Sequence, residues 1–191
     1  ELTGDESLNQ RPMKRILDPL SRMGARIETT EKFTAPLKIH GAYPLKPIDY
    51  DMPMISAQVK SAILFAGLNA QGETTVREKV LTRDHTERML GINTVHAHGS
   101  FITTVQGGMR IAPKQFVVPG DISSAAFLIA AGLIVSDSDI VLQNIGLNPT
   151  RTRVLDIFRS MGGVIEILDE RLISGEPIGD IRVRSSHLSG S

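Results

Sequence analysis

The chain has 191 residues, with 21 basic and 21 acidic side chains, 41% hydrophobic residues and no cysteine. That is enough apolar material for a packed core in one domain or parts of two. The charge balance removes a global electrostatic case for nucleic acid or an anionic membrane, so any anion site must be local. Without cysteine there is no disulfide framework and no thiolate metal site, which fits a cytoplasmic location. The longest apolar stretch, Ala125 to Val135, is about half of what a bilayer span requires, and no signal peptide is apparent. The chain opens mid-pattern on Leu2-Thr3-Gly4-Asp5 without an initiator methionine, which reads as a processed, excised or partial product.

In chain order, Arg15 to Glu28 is the first copy of a segment that recurs later in the chain, with Met23 on its helix. Ser56 to Leu68 has a Ser N-cap, apolar residues at helical spacing and a Gly near its end. Glu73 to Arg77 is an alternating or β-branched run that reads as a strand. Thr86 to Leu90 is a capped helix, Thr103-Thr104-Val105 a strand and Gln106-Gly107-Gly108 a turn with no phosphate-loop pattern around it. Val117-Val118-Pro119-Gly120-Asp121 carries a turn signal, and the stretch from Lys114 to Asp121 is the boundary candidate. Beyond it come a helix from Ser123 to Leu133, a strand over Asp139 to Leu142 and a helix over Thr152 to Met161 stopped by Gly162-Gly163. Strands over Val164 to Leu168 and Ile181 to Arg184 follow, and Ser185 to Ser191 looks frayed.

The chain repeats itself. Arg15-Ile16-Leu17-Asp18-Pro19-Leu20-Ser21-Arg22-Met23-Gly24-Ala25-Arg26-Ile27-Glu28 returns 138 residues later as Arg153 to Glu166, with seven of fourteen positions identical. Thr82 to Leu90 is a blurred copy about midway, so the repeat is about 70 residues long and occurs three times. Each unit reads as β-α-β-α-β-β, which predicts an α/β (α+β) fold with helices packed together and sheets facing outward.

Three loop-to-helix junctions concentrate hydroxyl and cationic groups: Ser7 to Pro12, Ile55 to Gln58 and Leu81 to Thr86. Open amides and the positive end of a helix, with an Arg or Ser beside them, make a site for phosphate or carboxylate. Ser and Thr are also the commonest caps and first-turn Arg side chains are commonly solvated, so recurrence at equivalent positions is what raises the functional reading. His85, beside Asp84, reads as a structural hydrogen-bonding residue before a general base. His96 and His98 would share one strand face, but no third ligand has suitable spacing, so metal is not expected. Met13, Met23, Met89 and Met161 fit helix positions at core spacing and read as packing.

Ser56-Ala57-Gln58-Val59-Lys60, Arg83-Asp84-His85-Thr86-Glu87 and Asn148-Pro149-Thr150-Arg151, with Leu2-Thr3-Gly4-Asp5 and Arg11-Pro12-Met13, resemble the enolpyruvylshikimate-phosphate synthases in order and spacing over essentially the whole chain. They resemble in particular the glyphosate-tolerant class II type, in which Ser-Ala-Gln replaces Ser-Ser-Gln. The resemblance implies the inside-out barrel fold of the enolpyruvate transferases, with two repeat units of the first globular domain in residues 1–116 and one unit of the second in 117–191. It implies transfer of enolpyruvyl from phosphoenolpyruvate to the 5-hydroxyl of shikimate-3-phosphate through a tetrahedral intermediate, as part of chorismate and aromatic amino acid biosynthesis.

By the same resemblance, Ser56, the backbone amide of Ala57, Gln58 and Arg83 hold shikimate-3-phosphate, and Arg11 with Gln58 holds phosphoenolpyruvate or glyphosate. No metal or other cofactor is implied. The family's Lys-Ser segment and Gly-Asn-Ala-Gly loop would precede Leu2 and its acidic catalytic residues would follow Ser191, so no catalytic residue is expected in the chain and half of the anion-binding cleft is. One departure is local: after Met89-Leu90 the family continues its helix to a Phe-Gly turn, whereas Gly91-Ile92-Asn93 follows here. The expected partners are the two small anions, with a second copy or complementary segments completing the fold. The alternatives are a noncatalytic anion-binding or assembly module of the same fold, and a relative of UDP-N-acetylglucosamine enolpyruvyl transferase.

Overall fold

Gly24, Gly91 and Gly162 all lie in the left-handed region, with φ of +98°, +70° and +95°. Each follows a short helix and precedes a strand, so the repeat is written in the backbone as helix, left-handed glycine, strand. Any other L-residue meets a steric penalty there, which is why glycine is the residue that ends all three helices. The computed structural model describes residues 1–113 and 115–190. Lys114, in the expected boundary stretch, and Ser191 lie outside them. The chain divides into two units, Glu1–Ala112 and Pro113–Ser191.

The first unit begins with α1 (Glu6–Asn9), α2 (Lys14–Arg22) and the antiparallel pair β1 (Arg26–Glu28) and β2 (Lys38–His40). Then come β3 (Asp49–Asp51), α3 (Ala57–Gly67), β4 (Glu73–Glu78), α4 (His85–Leu90), β5 (Thr94–Ala97) and β6 (Ser100–Gln106). This is one full β-α-β-α-β-β unit, and its sheet runs β3-β4-β6-β5 with β3 parallel to β4 and the other pairs antiparallel. Val59, Ile63 and Leu64 of α3 pack with Tyr50, Val76 and Val105 of the sheet and with Met23.

The second unit contains α5 (Ile122–Ile134), β7 (Asp139–Gly146), α6 (Arg153–Ser160), β8 (Val164–Ile173) and β9 (Glu176–Arg184), with the antiparallel order β7-β9-β8. Gly120 makes a parallel bridge to Ile145, the counterpart of β3 beside β4. Ile129 and Leu133 of α5 pack on Ile181 and Val183 of β9. The opposite stripe of α5 leaves Phe127, Leu128 and Ile134 exposed, so this helix is apolar all round.

Several local expectations change. The cap of α5 is Asp121, whose carboxylate accepts from the amides of Ser123 and Ser124, and the helix starts at Ile122 rather than at a serine. Met13, Met23 and Met161 stand at helix caps rather than within helices, although Met23 is fully buried. His98 has φ +51° in the turn after β5, so it does not share a strand face with His96, which stacks on Phe101. β8 and β9 run well beyond the expected Leu168 and start before Ile181, because register shifts between Leu168 and Arg171 let the hairpin continue to a turn at Ser174-Gly175. The tail is tied down: the amides of Ser185, Ser186 and Ser189 donate to Ser138, Leu133 and Met161. No helix among the described residues is long and apolar enough to cross a membrane.

Candidate active site

The entry to α3 is the centre of the candidate site. Ser56 is extended (φ −154°, ψ 102°), and its Oγ accepts from the Val59 amide at 3.4 Å while its carbonyl accepts from Lys60 N at 3.2 Å. The amides of Ala57 and Gln58 find no acceptor among the described residues. Two open donors at the positive end of an eleven-residue helix make an anion-receptive surface.

The segment from Glu78 to Glu87 is fastened to the same helix. Lys60 Nζ donates to Glu78 Oε2 at 2.8 Å and lies 2.6 Å from Glu87 Oε1, with side-chain exposures of 0%, 3% and 3%. Thr82 Oγ1 donates to Glu78 Oε1, and the hydroxyls of Ser61 and Thr86 meet at 2.6 Å. Glu87 has no polar partner other than the Lys60 ammonium among the described residues, so this ion pair is what offsets the burial of its carboxylate. Arg83, in the middle of this fastened segment, is exposed and makes no hydrogen bond or ion pair among the described residues. Asp84 and Arg88 pair across one turn of α4 at 2.9 Å. A cavity of about 490 Å³ adjoins the cluster, lined in part by Asp84, Glu87, Arg88, Asn93 and His96.

Thus Ser56, Ala57, Gln58 and the Arg83 segment come together. Arg11 lies between α1 and α2, exposed, with its side chain unpartnered among the described residues and no bond to α3. The tie from its side is Arg15, whose Nη2 donates to Gln58 Oε1 at 3.0 Å. His85 heads α4 at the surface.

Arg15 and Lys60 are the residues that sequence reasoning underrated. Arg15 stood out only as part of the repeat, and Lys60 only as the end of a motif. The available signal was a lysine among Val59, Ile63 and Leu64 on a core-facing stripe, because a lysine in that setting needs carboxylates brought to it.

The second unit holds a comparable polar cluster. Asn148, 2% exposed, donates to Glu176 Oε2 at 3.1 Å and accepts from the Thr150 amide at 2.9 Å. Arg151 Nη2 donates to Asp121 Oδ1 at 2.8 Å and to Ser123 Oγ. The Ser123 amide, then the Ser124 hydroxyl and the Arg151 charge, hold the Asp121 carboxyl below the usual carboxylate range against some opposing desolvation.

Repeated β-α-β-α-β-β units with an anion-receptive helix entry mark this as a chain of the enolpyruvyl transferase fold. The enolpyruvyl transferase NikO from Streptomyces tendae shares that fold at a TM-score of 0.63 and 16% identity over 93% of this chain and 43% of that one. All of residues 1–191 match EPSP synthase (3-phosphoshikimate 1-carboxyvinyltransferase), and the chain belongs to that family of transferases. The 3-phosphoshikimate 1-carboxyvinyltransferase of Halorhodospira halophila is 52% identical over 190 residues, which is 99% of this chain and 43% of the relative. That of Pelobacter propionicus is 52% identical over 193 residues, again 99% of this chain and 44% of the relative. EPSP synthase from Acinetobacter baumannii superposes with a TM-score of 0.84 at 48% identity, covering 99% of this chain and 43% of that structure. The chain therefore spans less than half the length of the relatives it matches.

Proposed function

We propose that the chain supplies the shikimate-3-phosphate-binding part of an enolpyruvyl transfer centre. The observation that carries this reading is the pair of open amides at Ala57 and Gln58 on the helix to which the segment bearing the exposed Arg83 is tied through Lys60 and Ser61. A phosphate monoester presents several acceptor oxygens and matches helix amides together with a guanidinium fork. Ser56, Ala57 through its amide, Gln58 and Arg83 are its ligands in this reading, and Arg11 with Gln58 receives phosphoenolpyruvate. Holding two anions by separate cations offsets their repulsion and brings the 5-hydroxyl to the enolpyruvyl carbon.

In the complete reaction that hydroxyl oxygen adds to C2 of phosphoenolpyruvate as C3 gains a proton. The tetrahedral adduct then loses phosphate and returns the proton from C3. The residues of this chain contribute binding and orientation to that sequence. Residues 1–116 correspond to two repeat units of the first domain and 117–191 to one of the second. The exposed apolar stripe of α5 supports complementary segments or a second copy covering that helix. Ala57 at the first helical position supports the glyphosate-tolerant class, and a cytoplasmic location accords with a chain free of cysteine.

Titration of shikimate-3-phosphate into the isotope-labelled chain, followed through backbone amides by NMR, tests the reading. Saturable shifts at Ser56 to Gln58 that vanish in Arg83→Ala are expected. A folded chain whose α3 amides stay still at every concentration would overturn it.

A further inference from the structure

Lys60 and Ser61, which tie the Arg83 segment to α3, lie within the first two turns of that helix. Lys60 gathers Glu78 from one end of the segment and Glu87 from the other, Thr82 completes the Glu78 carboxylate, and Ser61 meets Thr86. A buried ion cluster is poor support for stability, because well-packed apolar side chains in its place are commonly as stable or more so. What three converging charged groups supply is a fixed geometry: Glu78 ends β4, Glu87 sits in α4, and one ammonium fixes the distance of both from the helix whose open amides await an anion.

We infer that Lys60 is a positioning residue, which sets Arg83 against the N-terminus of α3 by drawing Glu78 and Glu87 to one point and thereby determines anion affinity. The inference rests on the reading of the α3 entry as the phosphate site. Lys60 itself is sealed from solvent and touches no ligand; it acts through the segment it anchors.

The test is the charge-free variant Lys60→Met/Glu78→Gln/Glu87→Gln in the full 191-residue chain, which removes all three charges together and leaves none unpaired. Its core amide pattern should match wild type. Backbone order from Lys79 to Asp84, read by NMR relaxation, should fall, the Arg83 Nε–H resonance should no longer shift with shikimate-3-phosphate, and affinity should weaken tenfold or more, towards that of Arg83→Ala. Thr82→Val, which removes only the hydroxyl tie to Glu78, should show the same loss of order in smaller measure and serves as the deciding variant should the triple variant not fold. A folded variant with unchanged order and unchanged affinity overturns the inference. If wild type itself binds no shikimate-3-phosphate, the proposed function and the affinity role of Lys60 fail together, while the relaxation measurement still decides whether Lys60 orders the Arg83 segment: order lost in the variants supports that, and order retained overturns it.

Discussion

Gly67 at the end of α3 faces Val105 of β6 so closely that a Cβ on the glycine would lie 2.6 Å from Val105 Cγ1 and 2.9 Å from Thr74 Cβ. The close approach of helix and sheet beneath the candidate site therefore depends on a missing side chain. Gly67→Ala should force α3 off the sheet and cost about 1–3 kcal/mol, the usual range for overpacking. Gly24→Ala meets open space at φ +98° and should cost only the left-handed penalty of about 1–2 kcal/mol. Urea denaturation followed by tyrosine fluorescence reads the first unit alone, since Tyr43 and Tyr50 are the two tyrosines and the chain has no tryptophan. Equal amide patterns around Val105 in wild type and Gly67→Ala would refute the steric account.

The same fluorescence measurement separates pairing from polarity at Lys60. Lys60→Met alone leaves Glu78 and Glu87 buried with no cation, and loss of one partner from a buried ion cluster costs about 3–5 kcal/mol. Replacing all three groups by neutral ones should cost far less. If the single variant proved as stable as the triple, the two carboxylates would not depend on Lys60.

Tyr50 gives the first unit a dependence on alkaline pH. Burial, then the Asp18 carboxylate 3.3 Å from its hydroxyl, raises its pKa above the ordinary value, with Arg22 opposing. The folded state thus favours the neutral phenol. That contribution is fully present below the unfolded value of about 10 and is lost as pH rises through the higher folded value. In a Tyr43→Phe background, phenolate absorbance of the native chain should appear at higher pH than in the urea-unfolded chain. Coincident titration curves would contradict the burial of this ring.

The parts of this fold that were legible in the sequence are those written in local chemistry. Gly162 could be read as a helix end because a left-handed residue is a property of one position, while Gly24 and Gly91, left-handed in the same way, show the same device in the structure. Ser56 as a cap and the β-branched run Thr74-Thr75-Val76 are equally local. The extension of β8 to Ile173 was not legible, because Asp169, left-handed at φ +49° within the register shift, breaks the alternation that defines a strand in sequence. In the site, the α3 entry was readable from its cap, whereas the Lys60 cluster joins residues 18 and 27 positions apart, and no spacing rule pairs a lysine with carboxylates across a sheet and a loop. The family resemblance pointed to Arg83 and Gln58 but gave no sign that Arg15 bonds Gln58.

Asn148 links the loop after β7 to the hairpin and, through Arg151, to the cap of α5. Its Oδ1 accepts from the Thr150 amide at 2.9 Å and hydroxyl at 2.6 Å, and its carbonyl accepts from Arg151 N at 2.8 Å, forming an Asx turn that aims Arg151 at Asp121. Asn148→Ala should leave the Thr150 amide without its acceptor and cost about 1–3 kcal/mol in the second unit. Asn148→Asp keeps the turn acceptor but replaces the donor facing Glu176, bringing two carboxylates to about the 3.1 Å of the native contact. At neutral pH it should be at least as damaging as alanine, because like charges then meet in a buried place. Hydrogen exchange at the Ser123 and Ser124 amides reads the consequence, since Asp121 accepts from both while paired to Arg151. Faster exchange there, with exchange in α3 unchanged, is the expected result; protection at Ser123 and Ser124 equal to wild type in both variants would show that Asn148 does not govern the α5 cap.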